Sequence, residues 1–92
     1  MGICQDPGEE KKPIQRNVIL ALGHYKEASA ENDLIALMKN DPRPVIRGTA
    51  AWSLGKIGTD AAKEALSKAL EKEDNEQVQY EMQNALSAMN IK

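Results

Sequence analysis

The chain has 92 residues, enough for one small domain and too few for two. Hydrophobic residues make up 41% and charged residues 28%, the balance of a folded globular protein, and a net charge of −2 does not describe a general nucleic-acid binder. One cysteine (Cys4) and one histidine (His24) exclude an internal disulfide, a four-ligand zinc or iron–sulfur site and a two-histidine mechanism.

The opening MGICQDPGEEKK has no apolar stretch of secretory length, so the chain reads as cytosolic. Residues 1–10 are expected to be a disordered leader that holds Cys4. The longest strongly apolar run, Val18 to Leu22, is five residues long and cannot span a membrane. It lies in the first of five predicted helices, at about 12–23, 31–39, 43–57, 60–72 and 75–90. In the third, Ile46, Ala50, Leu54 and Ile57 fall in one apolar stripe, and Ala62, Leu66, Ala69 and Leu70 repeat the rhythm in the fourth. The breaks are legible too. Asn40 ends one helix and Pro44 suits the first turn of the next. Gly58 is a C-cap, and Thr59 or Asp60 is the following N-cap.

Shifting the chain against itself by 32 residues aligns it without a gap. Ile14, Ile46 and Val78 coincide, as do Leu22, Leu54 and Leu86, and Gly23, Gly55 and Ser87. Polar positions follow the same period: Gln15, Arg47 and Gln79. Each helical hairpin alone leaves an apolar face open, so the units must stack into a shared core. Short side chains at Ala21, Ala50, Ala51, Ser53 and Ala85 are expected to allow the close helix approach that stacking needs. The last unit stops after one helix, whose Glu76, Gln79, Glu81, Gln83 and Asn84 form a solvent-facing cap. At the other end Val18, Ile19, Leu20 and Leu22 leave an exposed apolar patch.

The segment DPRPVIRGTAAWSLGKIGTDAAKEAL, Asp41 to Leu66, resembles the HEAT-like repeat of phycobilisome-lyase-type proteins. Its marks are Asp41-Pro42, Ile46-Arg47, the small-residue run to Leu54-Gly55, then Ile57-Gly58 and an alanine-rich second helix. The resemblance implies an all-α fold: a short right-handed α-solenoid of about two and a half HEAT-like hairpins, with repeats at about 11–40, 41–73 and 74–92. Arg16-Asn17 followed by VILALG also resembles the start of the C-terminal HEAT-like region of epoxyqueuosine reductases. That likeness implies an accessory part of a tRNA-modifying enzyme whose other portions carry cobalamin and iron–sulfur clusters. No cofactor is expected on this chain itself. Gln15 and Gln79 depart from the arginine of the repeat pattern.

Charge is unevenly spread. Residues 11–58 hold eight basic and four acidic groups, and residues 59–92 hold four basic and seven acidic. Lys11, Lys12, Arg16, Arg43 and Arg47 fall near the N-terminal ends of first helices, which stacking would bring onto one edge. Such an edge, beside the positive ends of helix dipoles, suits a nucleic-acid backbone, and tRNA is the partner the resemblance implies. With no Phe and only Tyr25, Trp52 and Tyr80, contact through phosphate and shape is favoured over base stacking. Arg47 has a second reading, an internal Asp–Arg ladder with Asp41 that ties the units together. Arg16 and Arg43 show no evident local acid partner.

Trp52 lies about 200° around the helix from the core stripe. It either packs with the stem of Lys56 against a neighbouring helix or forms, with Leu20, a strip that docks the catalytic domain of a longer protein or another partner. His24 closes a helix end, and Glu71, Glu73, Asp74 and Glu76 form a solvated acidic turn. No nucleophile, proton-transfer pair or phosphate-cradling loop can be assembled, so the chain reads as a binding module with no small-molecule substrate and not as an enzyme.

Overall fold

The computed structural model describes residues 15–90. They form five α-helices: α1 (Arg16–His24), α2 (Glu31–Asn40), α3 (Pro44–Ile57), α4 (Asp60–Lys72) and α5 (Glu76–Asn90), with a 3-10 turn at Ala28–Ala30 before α2. Among the described residues there is no strand. The predicted boundaries hold within a residue or so except at the start of α1. Gln15 is extended and caps that helix, so it opens at Arg16 and not at residue 12. Lys11, Lys12, Ile14 and the leader with Cys4 lie outside the described residues.

Local chemistry sets the ends. Pro44 opens α3 after an extended Arg43, where a missing N–H costs nothing. Gly58 closes α3 at φ 75°, the left-handed conformation glycine tolerates best. Thr59 then caps α4: its Oγ1 accepts from the Ala62 N–H at 3.0 Å. The same hydroxyl donates to Glu31 Oε1 at 2.7 Å, fastening the turn after α3 to the first residue of α2.

α3 is the hub and packs against the other four helices. Its Ile46, Ala50, Ala51, Ser53 and Leu54 are buried, with Ile19 of α1, Leu34 and Met38 of α2, Leu66 of α4, and Val78 and Met82 of α5. One core therefore runs through every unit, as stacked hairpins require. Close approach is concentrated at two equivalent crossings. A methyl group at Gly23 would stand 2.6 Å from Ser53 Cα, and one at Gly55 would stand 2.8 Å from Ala85 Cβ. Ser53 also donates to the Ile19 carbonyl at 2.6 Å across the first crossing.

Ala21 departs from expectation. It is the counterpart of Ser53 and Ala85, yet it is exposed, because no described helix packs on that side of α1. Val18 on the same helix is 47% exposed, while Ile19 is fully buried, so the run that looks apolar all round in sequence is divided between core and surface.

Candidate nucleic-acid interface

The two loops that join successive units, 41–43 and 73–75, are built alike from equivalent residues. Asp41 Oδ1 accepts from the Arg43 backbone N–H at 2.9 Å. One unit on, Glu73 Oε2 accepts from the Asn75 N–H at 3.0 Å. Asn75 Oδ1 in turn accepts from the Val78 N–H at 3.1 Å and caps α5. Arg47 Nη1 donates to the Asp41 carbonyl at 2.9 Å, and its counterpart Gln79 donates through Nε2 to the Glu73 carbonyl at 2.6 Å. The glutamine departure therefore keeps the backbone contact that the arginine makes. It also leaves Gln79 part-buried where a solvent-facing cap residue was expected.

The guanidinium groups correct the sequence reading. Arg43 does have a local acid: its Nε and Nη2 donate to the two oxygens of Asp41 at 2.9 and 2.8 Å. Arg47 is not paired with the Asp41 carboxylate. Its Nε and Nη2 both donate to Glu73 at 2.9 Å, across the unit boundary. Glu73 is accordingly not part of a solvated turn; its side chain is only 7% exposed and that of Arg47 17%. The hydrogen bonds from Arg43 hold the Asp41 carboxyl below its ordinary range, and those from Arg47 do the same for Glu73. Reciprocally, both guanidinium groups are held more firmly protonated.

Arg16 is exposed on the first turn of α1. It shares an open groove of about 700 Å³ with Leu20, Trp52, Pro44, Val45 and Asn75, so the starts of α1, α3 and α5 do lie along one edge. Leu20 and Trp52 are both half-buried there. Lys56 Nζ stands 5.3 Å from the centre of the Trp52 ring, a cation–π arrangement along one helix face. Val45 beside them is 57% exposed. Arg47 opens on a different groove, of about 510 Å³, between the C-terminal turns of α2 and α4.

That second groove lies at the ends of second helices, away from the first-helix cations that the sequence singles out. Lys39, Lys68 and Lys72 line it together with Asn40, Glu73 and Asp74. The signal was present: Lys39 and Lys72 lie in the last turns of their helices, where cations complement the helix dipole. His24 is exposed at the end of α1, edge-on to Tyr25 with ring centres 5.1 Å apart.

Comparison with known proteins decides the family. The HEAT repeats family matches residues 8–87. The chain belongs to the HEAT-repeat family. Among individual proteins, this HEAT-repeat chain is 58% identical to epoxyqueuosine reductase of Bacillus cereus over 88 residues, 96% of the chain and 23% of that relative. It is 58% identical to the Bacillus subtilis epoxyqueuosine reductase over 79 residues, 86% of the chain and 20% of the relative. A crystal structure of epoxyqueuosine reductase with a tRNA-Tyr epoxyqueuosine-modified tRNA stem loop superposes with a TM-score of 0.81 at 57% identity, covering 88% of the HEAT-repeat chain and 22% of that protein. The chain thus spans between a fifth and a quarter of the length of these relatives.

Proposed function

We propose that the chain is a non-catalytic binding module of an epoxyqueuosine reductase-like enzyme, and that it helps to hold tRNA through the edge formed by the unit-joining loops and the starts of the first helices. The observation that carries this reading is the 57% identity, with a TM-score of 0.81, to an epoxyqueuosine reductase crystallised with a tRNA stem loop. The exposed Arg16 supports it, as do the two carboxylates of the loops, each already occupied by an arginine and so less repulsive to a polyanion. Lys11 and Lys12, the other two cations of the sequence-based set, lie outside the described residues. Arg43 and Arg47 contribute by fixing the loops, Arg43 through Asp41 and Arg47 through Glu73.

Among the described residues no group of three His, Cys, Asp or Glu side chains could hold a metal ion. The cobalamin and iron–sulfur groups that the family likeness implies would be held by other parts of a longer enzyme. No described helix is long and apolar enough to cross a membrane. A tRNA-modifying enzyme of this kind would work in the cytoplasm.

Fluorescence anisotropy with a tRNA anticodon stem loop across a salt series tests the proposal. Binding that weakens steeply as salt rises, and weakens further in Arg16→Ala with Arg43→Ala, is expected. Absent or salt-insensitive binding, unchanged in that variant, would rule it out.

A second reading rests on the Leu20–Trp52 groove. Half-buried Trp52 and Leu20 beside exposed Val45 would suit docking on a catalytic domain or another protein. Trp52→Ala should then weaken that association with little loss in Tm. A large loss of Tm would make Trp52 a packing residue.

A further inference from the structure

We infer that the groove between the C-terminal turns of α2 and α4 is a phosphate-binding site for an RNA backbone, with Lys39, Lys68 and Lys72 as its cations. The inference rests on the RNA-binding reading above and adds to it a second site, on the second helices.

Lys68 and Lys72 stand four residues apart on one face of α4, and both line the groove. Lys39 reaches the same groove from the last turn of α2, in the preceding unit. All three side chains are exposed. Lysines at a spacing of four repel one another on a helix. An anion with several oxygens between them reverses the sign of that term. Complementing the helix dipole accounts for a cation in each last turn. It does not require three cations from two units to face one groove.

The carboxylates nearby do not cancel them. Asp41 accepts the fork of Arg43, and Glu73 accepts the fork of Arg47. Lys68 makes one 3.4 Å ion pair with Glu64, but both side chains are about 70% exposed, and such a pair contributes little. Asp74 is the one remaining acid lining the groove, and the Asn40 amide adds a neutral donor.

The lining also sets the class of ligand. It contains no Phe, Tyr or Trp, so nothing there can stack a base. Lysines act as point charges on phosphate and carry no sequence information. The groove borders the same unit-joining loops as the Arg16 edge, so one backbone crossing those loops can meet both.

The test uses the 92-residue chain and a synthetic anticodon stem loop, with affinity followed by anisotropy from about 50 to about 200 mM KCl. The combined variant Lys39→Gln, Lys68→Gln, Lys72→Gln should bind about tenfold more weakly at the lowest salt, and its slope of log affinity against log salt should be shallower by about two. Replacing the same three residues by Arg should preserve both quantities. Lys63→Gln, at the far end of α4, should change neither. Glutamine variants that bind and respond to salt like the parent, while Arg16→Ala still weakens binding, would overturn this site and leave the RNA reading standing. A parent chain with no salt-dependent binding would overturn both. Circular dichroism melting of each variant establishes that an observed loss is not unfolding.

Discussion

Arg47 and Glu73, 26 residues apart, form a two-pronged ion pair across the boundary between consecutive units, with both N–O distances at 2.9 Å. Glu73 stands where Asp41 stands one unit earlier, and Arg47 binds the carbonyl of one and the carboxylate of the other. Neutralising a single partner should therefore destabilise the fold by about 1–3 kcal/mol, since a largely buried charge loses its partner. Urea unfolding of Arg47→Met, Glu73→Gln and the double variant checks this. The double variant should lose clearly less than the two single losses combined. Strict additivity would show that the pair is not coupled.

Acid should loosen the same joints. Asp41 and Glu73 both have folded pKa values below their ordinary ones, through hydrogen bonds from Arg43 and Arg47 respectively. A carboxyl of that kind adds stability above its unfolded pKa, near 4, and the contribution disappears as pH falls through the lower folded value. Stability should thus be flat from neutrality down to about pH 5 and decline below it. In Glu73→Gln the decline should be shallower. An equal decline in parent and variant would remove Glu73 from the explanation.

Glycine-to-alanine changes should separate crossing sites from mere helix interiors. At Gly23 the new methyl group meets Ser53 Cα, Cβ and Oγ at 2.6–2.7 Å, so α1 and α3 must move apart. A loss of about 1–3 kcal/mol is expected. At Gly48 the nearest atom is Glu81 Cγ at 3.3 Å, on a side chain that can shift. There the gain in helix propensity, about 0.5–1 kcal/mol, should leave stability unchanged or raised. Thermal melts of the two variants check the contrast, and similar losses at both would contradict it.

Lys26 occupies the left-handed region at φ 53°, the sole non-glycine residue to do so among the described residues. It sits where Gly58 sits one unit on. The Glu27 N–H bonds the Leu22 carbonyl at 2.8 Å and the Lys26 N–H bonds that of Gly23 at 3.0 Å, the pattern of a glycine-type helix end. Lys26→Gly should accordingly stabilise the chain by about 0.5–1 kcal/mol in a denaturant melt. A loss of stability would mean that the lysine side chain compensates for its backbone.

The repeat was legible because its period is carried by core residues: Ile46 and Val78, Leu54 and Leu86 share a slot or its margin in the stack. The ends of α3 and α4 were legible because Pro44, Gly58 and Thr59 act through their own backbone neighbours. The partner of Arg47 was harder to find. Asp41 is six residues away in sequence, yet Arg43 lies closer to it and occupies its carboxylate, leaving Arg47 to reach into the next unit. Advancing Asp41 by one period would have pointed to Glu73. Ala21 is exposed for a related reason: a small residue marks a crossing only where a second helix uses it, and none of the described helices does so there. The lysine groove depends on two helix ends meeting in space, which neither helix reveals alone.

The most direct test of the account is a titration of the 15N-labelled chain with the anticodon stem loop, followed by amide chemical shifts. Shift changes are expected to gather around Arg16–Leu20, Asn40–Val45 and Lys72–Gln77, at the end of the stack that carries the loops between units. Amides of Tyr25–Ala30 and Ile57–Asp60, at the opposite end, should stay in place. Changes confined to that opposite end, or an unperturbed spectrum at saturating RNA, would contradict it.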